Sequence, residues 1–204
     1  MRTLIGVVVL TVISGCMTTA NLPAVQYYVL DNRGVAGSVQ RMARGGAGVL
    51  LVQPASASPF YDTQRLVYSS APGQRAYYQF AAWTARPARA LSDLLQRRVE
   101  QGGVFASVAS TTAGVKGDLV LNVRLEEFYH DTAERPGRVR IEVSTELIDA
   151  GTRTVTTQRR FAHSVVTNAE NAPAAVDAAN RAVTAVIDDI ASWVERSSKA
   201  AEAT

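Results

Sequence analysis

Cysteine is almost missing from this chain of 204 residues, which contains a single one, Cys16. One thiol cannot form a disulfide within the chain, so packing alone must stabilise a folded domain in an oxidising compartment. Histidine is also rare, and neither His130 nor His163 falls in a metal-ligand or nucleophile pattern. We therefore predict that the chain binds no metal and no dissociable cofactor.

Several sequence signatures of enzymes are missing as well. The glycine-rich stretch at 45–48 precedes an apolar strand pattern, whereas a phosphate-binding loop continues into Gly-Lys-Ser/Thr and a helix. The Gly-x-Ser-x-Gly motif of many hydrolases does not occur. Glu126 and Glu127 are neighbours in a predicted strand, so they face opposite sides and cannot share a proton unless a bulge intervenes. These absences predict a protein that is not an enzyme.

The chain has no large excess of charge of one sign, because 21 Lys and Arg residues stand against 18 Asp and Glu residues. The basic residues are interspersed with acidic ones, whereas a surface that binds nucleic acid has a basic patch or stripe. We therefore predict no nucleic-acid partner.

The N-terminus has the three parts of a bacterial secretory signal peptide: Arg2, an apolar run at 4–13, and the small residues Ser14 and Gly15 before Cys16. The run is shorter than the roughly 20 apolar residues that span a bilayer, which argues against a transmembrane helix. An ordinary buried cysteine is the other alternative. The segment 13–16 resembles the lipobox of bacterial lipoproteins, and this resemblance implies cleavage between Gly15 and Cys16 and lipid attachment at Cys16.

Lipid attachment would decide where the protein resides. The lipobox resemblance implies a diacylglyceryl group on the Cys16 sulfur and an N-acyl chain on the new amino terminus. Each buried methylene contributes about 0.8 kcal/mol, so these chains together hold a protein on a membrane essentially permanently. Met17 stands where an inner-membrane retention signal usually has aspartate. The resemblance to sorted lipoproteins therefore implies the periplasmic face of the outer membrane.

The remaining chain is long enough for one domain of ordinary size with its own core. We expect a lipoprotein signal peptide at 1–15, a lipidated N-terminus and tether at 16–25, a single domain at 26–196, and a flexible C-terminal tail at 197–204. The tether is short and polar and contains Pro23.

Alternation, apolar runs and enrichment in β-branched and aromatic residues predict strands at 25–30, 49–52, 65–68, 76–80, 104–108, 118–130, 139–147 and 154–165. Helical spacing follows Pro87, with Leu91, Leu94 and Val99 on one face. It recurs after Pro173, where a predicted stripe consists of Val176, Asn180, Val183, Ile187, Ile190 and Val194. The last three strands predict an antiparallel meander with one wet face. The fold class is therefore α+β, with two layers: a mainly antiparallel sheet and two amphipathic helices packed on one of its faces.

Tyrosines are dense in the first half of the chain. In the pairs Tyr27-Tyr28 and Tyr77-Tyr78, one side chain should face the helices and the other should face out, because strand neighbours alternate. Outward tyrosines are good interface residues, and we take Tyr28, Tyr61 and Tyr78 as candidate partner contacts. The alternative is that these rings only shield a face of the sheet.

Four segments in order carry a resemblance to a known family: 27–31 shortly after the cysteine, 49–52 with Pro54, 61–68, and the aromatic stretch that ends at Trp83 before the first helix. The chain resembles the ABC-type transport auxiliary lipoproteins, of the paraquat-inducible lipoprotein C type, which work beside mammalian-cell-entry (MCE) domain proteins. The resemblance spans nearly the whole chain after Cys16. No single one of these segments is specific to the family, and the resemblance depends on their order along the chain.

This resemblance implies a lipid-anchored periplasmic component of an envelope transport system for lipids or hydrophobic solutes. The permease, the ATPase and the MCE-domain protein would be separate chains, and this chain would anchor or receive the periplasmic conduit at the outer membrane. A ring-like homo-oligomer fits such a role, because cyclic symmetry closes a tube.

The alternative is a structural or assembly lipoprotein that binds an envelope protein or peptidoglycan without moving lipid. Its fold would be the same. Adjacent genes for a permease, an ATPase and an MCE-domain protein would favour transport, and their absence would favour assembly.

Overall fold

A computed structural model describes residues 23–32 and 48–202 of the chain. In chain order the strands before the first helix are β1 (Gln26–Tyr28), β2 (Val49–Val52), β3 (Ser56–Ala57), β4 (Arg65–Ser69) and β5 (Ala76–Trp83). Helix α1 (Pro87–Gly102) and strand β6 (Ser107–Ser110) follow. The chain then forms β7 (Leu119–Asp131), β8 (Arg138–Asp149), β9 (Thr154–Val166) and helix α2 (Ala172–Glu202).

Strands β7, β8 and β9 form the predicted antiparallel meander. Their alternation places apolar side chains on an inner face, where Leu121 pairs with Leu147 and Leu125 pairs with Val143. All four of these side chains are buried, while the polar side chains between them lie on the outer face. The predicted hairpin of β4 and β5 is also antiparallel.

The other side of β7 is bordered by parallel strands, so the sheet is mixed. Strand β2 pairs with the start of β7, β3 with its middle and β4 with its end. Strand β1 is parallel to β5, and β6 is parallel to β2. Parallel neighbours require long crossover connections, and helix α1 lies in the connection from β2 to β6. The predicted α+β class is confirmed.

Both helices cover the inner face. Helix α1 packs on β6 and β7 and against α2, which packs on β8 and β9. Pro87 opens α1, where its missing N–H costs no hydrogen bond, and Gly103 ends it in the left-handed conformation with φ of 66°. The predicted stripe of α2 is buried along its whole length; it consists of Val176, Asn180, Val183, Ile187, Ile190 and Val194.

Two boundaries differ from the predictions. Helix α2 continues to Glu202, so the tail predicted to be flexible from residue 197 is helical as far as the structure describes it. The reason is local, because Lys199 to Glu202 are good helix formers without glycine or proline, and Ser198 is buried against the domain. Strand β6 lies at Ser107–Ser110 rather than 104–108, because Phe105 packs into the core before the strand begins.

Candidate functional site

The predicted lipid attachment residue Cys16 and the predicted cleavage site after Gly15 lie outside the described residues. Both stay predictions. Within residues 23–32 and 48–202, no helix combines the length and the apolar character needed to cross a bilayer.

In the first tyrosine pair, the ring that faces out is not the one that we predicted. Tyr28 pairs with Trp83, is partly buried and packs against the core, whereas Tyr27 is 65% exposed. The extended segment 25–30 around β1 has apolar residues on both of its sides, with Val25, Tyr27 and Val29 on one and Tyr28 and Leu30 on the other. The sequence pattern therefore does not decide which side faces the core. Tyr27 is therefore the outward ring of this pair.

Tyr61 is buried and belongs to a polar cluster at the outer face of the sheet. Its hydroxyl oxygen accepts a hydrogen bond of 2.9 Å from Nε of Arg75, and burial raises the pKa of Tyr61. The same guanidinium donates to Glu127 at 3.3 Å and lies 3.7 Å above the ring of Tyr129. Tyr61 thus positions Arg75 and offers little surface to a partner, contrary to the prediction.

Tyr78 also points inward, toward the buried His130. The Tyr78 hydroxyl lies 2.7 Å from Nδ1 of His130, and Oγ1 of Thr167 lies 3.4 Å from Nε2. Since the Thr167 hydroxyl donates to the Gly137 carbonyl, it accepts from Nε2–H, which leaves Nδ1 as the acceptor for Tyr78. Burial, with the nearby Tyr68 and Glu170, raises the pKa of Tyr78 to about 12. Tyr78 is therefore a structural hydrogen-bond donor.

His130 gives the fold a specific dependence on pH. Burial lowers its pKa, and the opposing effects of Glu170 and Asp131 are smaller. As pH falls below about 6.5, the unfolded chain binds a proton at this histidine before the folded chain does, so the free energy of unfolding decreases toward the folded-state pKa. We expect urea unfolding between about pH 7 and 5 to show a shallower loss of stability in His130→Gln than in the wild type.

The second histidine provides the control. Nε2 of His163 lies 2.8 Å from Oδ2 of Asp189 in α2. The variant His163→Gln should leave the decline in stability at low pH in place. Equal slopes for the wild type and His130→Gln would contradict the assignment of this pH dependence to His130.

The exposed aromatic surface of the β4–β5 hairpin is formed by other residues. The rings of Phe60 and Tyr77 stack at 4.8 Å with an interplanar angle of 6°, and the Arg65 guanidinium lies 4.1 Å above Tyr77. Phe60 is 38% exposed. We call Arg65, Tyr77 and Phe60 the aromatic stack. A register shift between Arg65 and Val67 moves hairpin side chains to the other face, which the sequence pattern does not reveal.

The carboxylate pair Glu126-Glu127 lies at a bulge. A bulge allows two neighbouring strand residues to lie on the same face of the sheet. The register of β7 against β8 shifts between Leu125 and Glu127. Yet the two carboxylates have separate partners, Arg124 at 3.1 Å for Glu126 and Arg75 at 3.3 Å for Glu127. Although burial opposes it, hydrogen bonds from Ser144, Arg124 and Ser58 lower the pKa of Glu126. The pair therefore forms two ion pairs.

The outer face of the meander neutralises most of its own charge. Arg140 pairs with Asp131 at 2.8 Å, and Arg160 pairs with Glu142 at 3.0 Å. Such exposed pairs contribute little to stability, each about 0–1 kcal/mol. They also leave few free charges to attract a partner, so the candidates for binding are the aromatic stack and the edges of the sheet.

A small pocket lies between the sheet and α2, with a volume of about 20 Å³. Its lining is mainly apolar, with Trp83, Phe128 and Ala179 among the residues, and its histidine, His130, already has a partner at each ring nitrogen. Within the described ranges, no group of three or more His, Cys, Asp or Glu residues could hold a metal ion. A space of this size holds about one water molecule.

Comparison with known proteins points to a family. Residues 28–191 match the family described as the ABC-type transport auxiliary lipoprotein component. A search of the curated proteins gives no match.

Solved structures show the same fold. A crystal structure of a DUF330-family protein from Xanthomonas campestris is similar with a TM-score of 0.78 and 22% identity, covering 88% of this chain and 99% of that one. A hypothetical protein from Chlamydia trachomatis is similar with a TM-score of 0.55 and 11% identity, covering 76% and 99%. At these identities the likeness concerns the fold.

Proposed function

Because the chain belongs to the ABC-type transport auxiliary lipoprotein family, we propose that it is the lipid-anchored periplasmic component of a system that transports lipids or hydrophobic solutes across the envelope. An MCE-domain protein forms the periplasmic conduit in this proposal, and a separate permease and ATPase supply transport and energy. The chain anchors or receives the conduit at the outer membrane. The observation that carries the proposal is the family match over residues 28–191, directly downstream of the lipobox-like segment.

Within this proposal the aromatic stack is the contact for the MCE-domain protein. Interfaces are enriched in tyrosine, phenylalanine and arginine, and residues that dominate binding energy are often aromatic. Phe60 and Tyr77 are already stacked, and Arg65 already lies over the Tyr77 ring. A partner that covers these rings therefore needs to immobilise few side chains, which lowers the entropic cost of association.

Capture of the partner tests this proposal. We expect the tagged wild-type chain, solubilised from the membranes of its own host, to capture the MCE-domain protein. The double variant Phe60→Ala, Tyr77→Ala should capture at least about ten-fold less, because truncating the residues that dominate an interface costs more than about 1 kcal/mol each and about 1.4 kcal/mol is a factor of ten. The control is Val155→Ala, which changes an exposed side chain on β9, 52% exposed and outside the stack, and should leave capture unchanged.

Several outcomes separate the alternatives. Equal capture by all variants would contradict docking through the aromatic stack. Capture of peptidoglycan or another envelope protein in place of an MCE-domain protein would favour the assembly lipoprotein. Density-gradient separation of inner and outer membranes tests the proposed location, and native mass spectrometry tests the ring-like homo-oligomer.

A further inference from the structure

A row of exposed apolar side chains lies on and beside β1, at the edge of the sheet opposite β9. Val25 is 43% exposed, Tyr27 65% and Val29 61%. They alternate with Tyr28 and Leu30, which pack on the core, so the row faces one side of an extended segment. We call Val25, Tyr27 and Val29 the β1 row. These three are among the most exposed large apolar residues of the described chain.

The position of the β1 row in the chain limits what can cover it. Nine peptide steps separate Cys16 from Val25, and a fully extended chain spans at most about 3.3–3.6 Å per residue. If Cys16 carries the lipid, Val25 stays within about 30 Å of the bilayer surface, and Val29, four residues further along, stays within about 45 Å. The membrane is then present at a high effective concentration, so even a weak surface contact is occupied.

The charge beside the β1 row is suited to a phospholipid surface. Arg89 and Arg97 line a groove with Val29, and neither forms an ion pair with a described residue. Asp93 lies in the same groove and Asp31 lines the adjoining one with Arg97, so the two guanidinium groups act as individual phosphate ligands rather than as a net positive patch. Guanidinium groups bind phosphate oxygens with two hydrogen bonds, and tyrosine prefers the membrane–water interface.

We propose that the β1 row is a membrane-docking edge, which lays the domain on the phospholipid surface with Tyr27 at the headgroup level and Arg89 and Arg97 on lipid phosphates. This inference rests on the proposed lipid anchor at Cys16. It adds an orientation to that anchor: β1 lies at the bilayer, and β9, at the other end of the sheet, is turned toward the periplasm.

Fluorescence quenching by brominated lipids tests this orientation. The acylated full-length Tyr27→Trp variant is reconstituted in vesicles of phosphatidylethanolamine and phosphatidylglycerol with bromine on the acyl chains. The native tryptophans Trp83 and Trp193 are buried, at 3% and 6% exposure, and the unmodified protein supplies their background. Val155→Trp is the matched control, because Val155 is 52% exposed on β9.

We expect the indole of the Tyr27→Trp variant to be quenched at least three-fold more than the indole introduced by Val155→Trp, with a blue shift of its emission. Equal quenching in both variants, or none in Tyr27→Trp, would overturn the docking edge. A blue shift of the Tyr27→Trp emission that arises only when the purified MCE-domain protein is added would also overturn the docking edge, because it would assign the β1 row to a protein partner. Thermal unfolding verifies that both variants are folded.

This experiment tests the lipid anchor and the docking edge independently. The mass of the N-terminal peptide reports acylation of Cys16 in the same preparation. An acylated Tyr27→Trp protein with no quenching of its introduced indole rejects the docking edge and leaves the proposed transport role intact, whereas an unmodified Cys16 rejects the anchor on which both depend.

Discussion

Trp83→Ala should cost about 3–5 kcal/mol of folding free energy, as replacements of large buried aromatic residues by alanine do. Trp83 is 3% exposed, and its ring stacks on Phe128 with centroids 5.7 Å apart. It also lies at the junction of β5 with α1 and pairs with Tyr28 of β1. Removing the indole therefore leaves a void that three elements share, and the surrounding backbone can close it only in part.

The expected loss is a large fraction of the roughly 5–15 kcal/mol that stabilises a typical domain. It corresponds to a decrease in Tm of about 6–20 °C for a chain of this size. Urea and thermal unfolding measure it directly. Tyr27→Ala is the matched control, because it removes another large aromatic side chain one strand away, at 65% exposure, and should change stability by about 0.5 kcal/mol or less.

Equal destabilisation by the two variants would contradict the burial assigned to Trp83. Trp83→Phe provides a further check, because it keeps an aromatic ring against Phe128 and should recover part of the lost stability. A Trp83→Phe variant as unstable as Trp83→Ala would show that the stack does not account for the effect.

The long elements of this fold can be predicted from the sequence because many residues in each element indicate the same buried face. In β7, alternate residues from Leu121 to Leu125 are apolar, and in β8 those from Val139 to Leu147 are apolar apart from Thr145. A slip of one residue would expose all of these apolar side chains. The six-residue stripe of α2 fixes its inner face in the same way. Trp83 lies in the last position of β5 and leads into α1, as its place in the sequence suggests.

Short strands and bulges depend on contacts far away in the sequence, and these could not be predicted. Strand β3 has two residues and exists because Ser56 and Ala57 lie beside β7. The bulge at Glu126 depends on the register of β8. Tyr28 and Tyr78 were assigned to the surface by alternation and Tyr61 by its aromatic character, but the structure places each at or within the core or a polar cluster.

The exposed positions were nevertheless close to the predicted ones. Tyr27 neighbours Tyr28, Phe60 neighbours Tyr61, and Tyr77 neighbours Tyr78. Alternation thus identifies two of these pairs, Tyr27-Tyr28 and Tyr77-Tyr78, as pairs in which one ring faces out, and tertiary contacts decide which ring it is. Hydrogen bonding gives the physical signal for Tyr61 and Tyr78, because each hydroxyl is needed by a partner, Arg75 or His130.

Cys16→Ser should abolish acylation completely, which is the largest effect we expect from a single substitution. In the proposed anchor the Cys16 thiol would accept the diacylglyceryl group, a serine hydroxyl would not replace it, and signal peptidase II, which cuts only lipidated precursors, would leave the variant uncut. Labelled palmitate should enter the wild-type protein and be absent from the variant. Mass spectrometry should show an acylated N-terminus at Cys16 in the wild type and an uncut segment at 1–15 in Cys16→Ser.

The uncut signal segment could itself hold the variant at a membrane, so release needs a second form of the protein. Replacing residues 1–15 with a signal peptide cut by signal peptidase I, in the Cys16→Ser background, should free the chain into the periplasm on osmotic shock. Without acyl chains, only the β1 row and the aromatic stack remain to hold it at a surface or a partner. Because each buried methylene contributes about 0.8 kcal/mol, no contact of that size replaces the anchor. Retention of this form on washed membranes free of the MCE-domain protein would contradict the assignment of anchoring to Cys16.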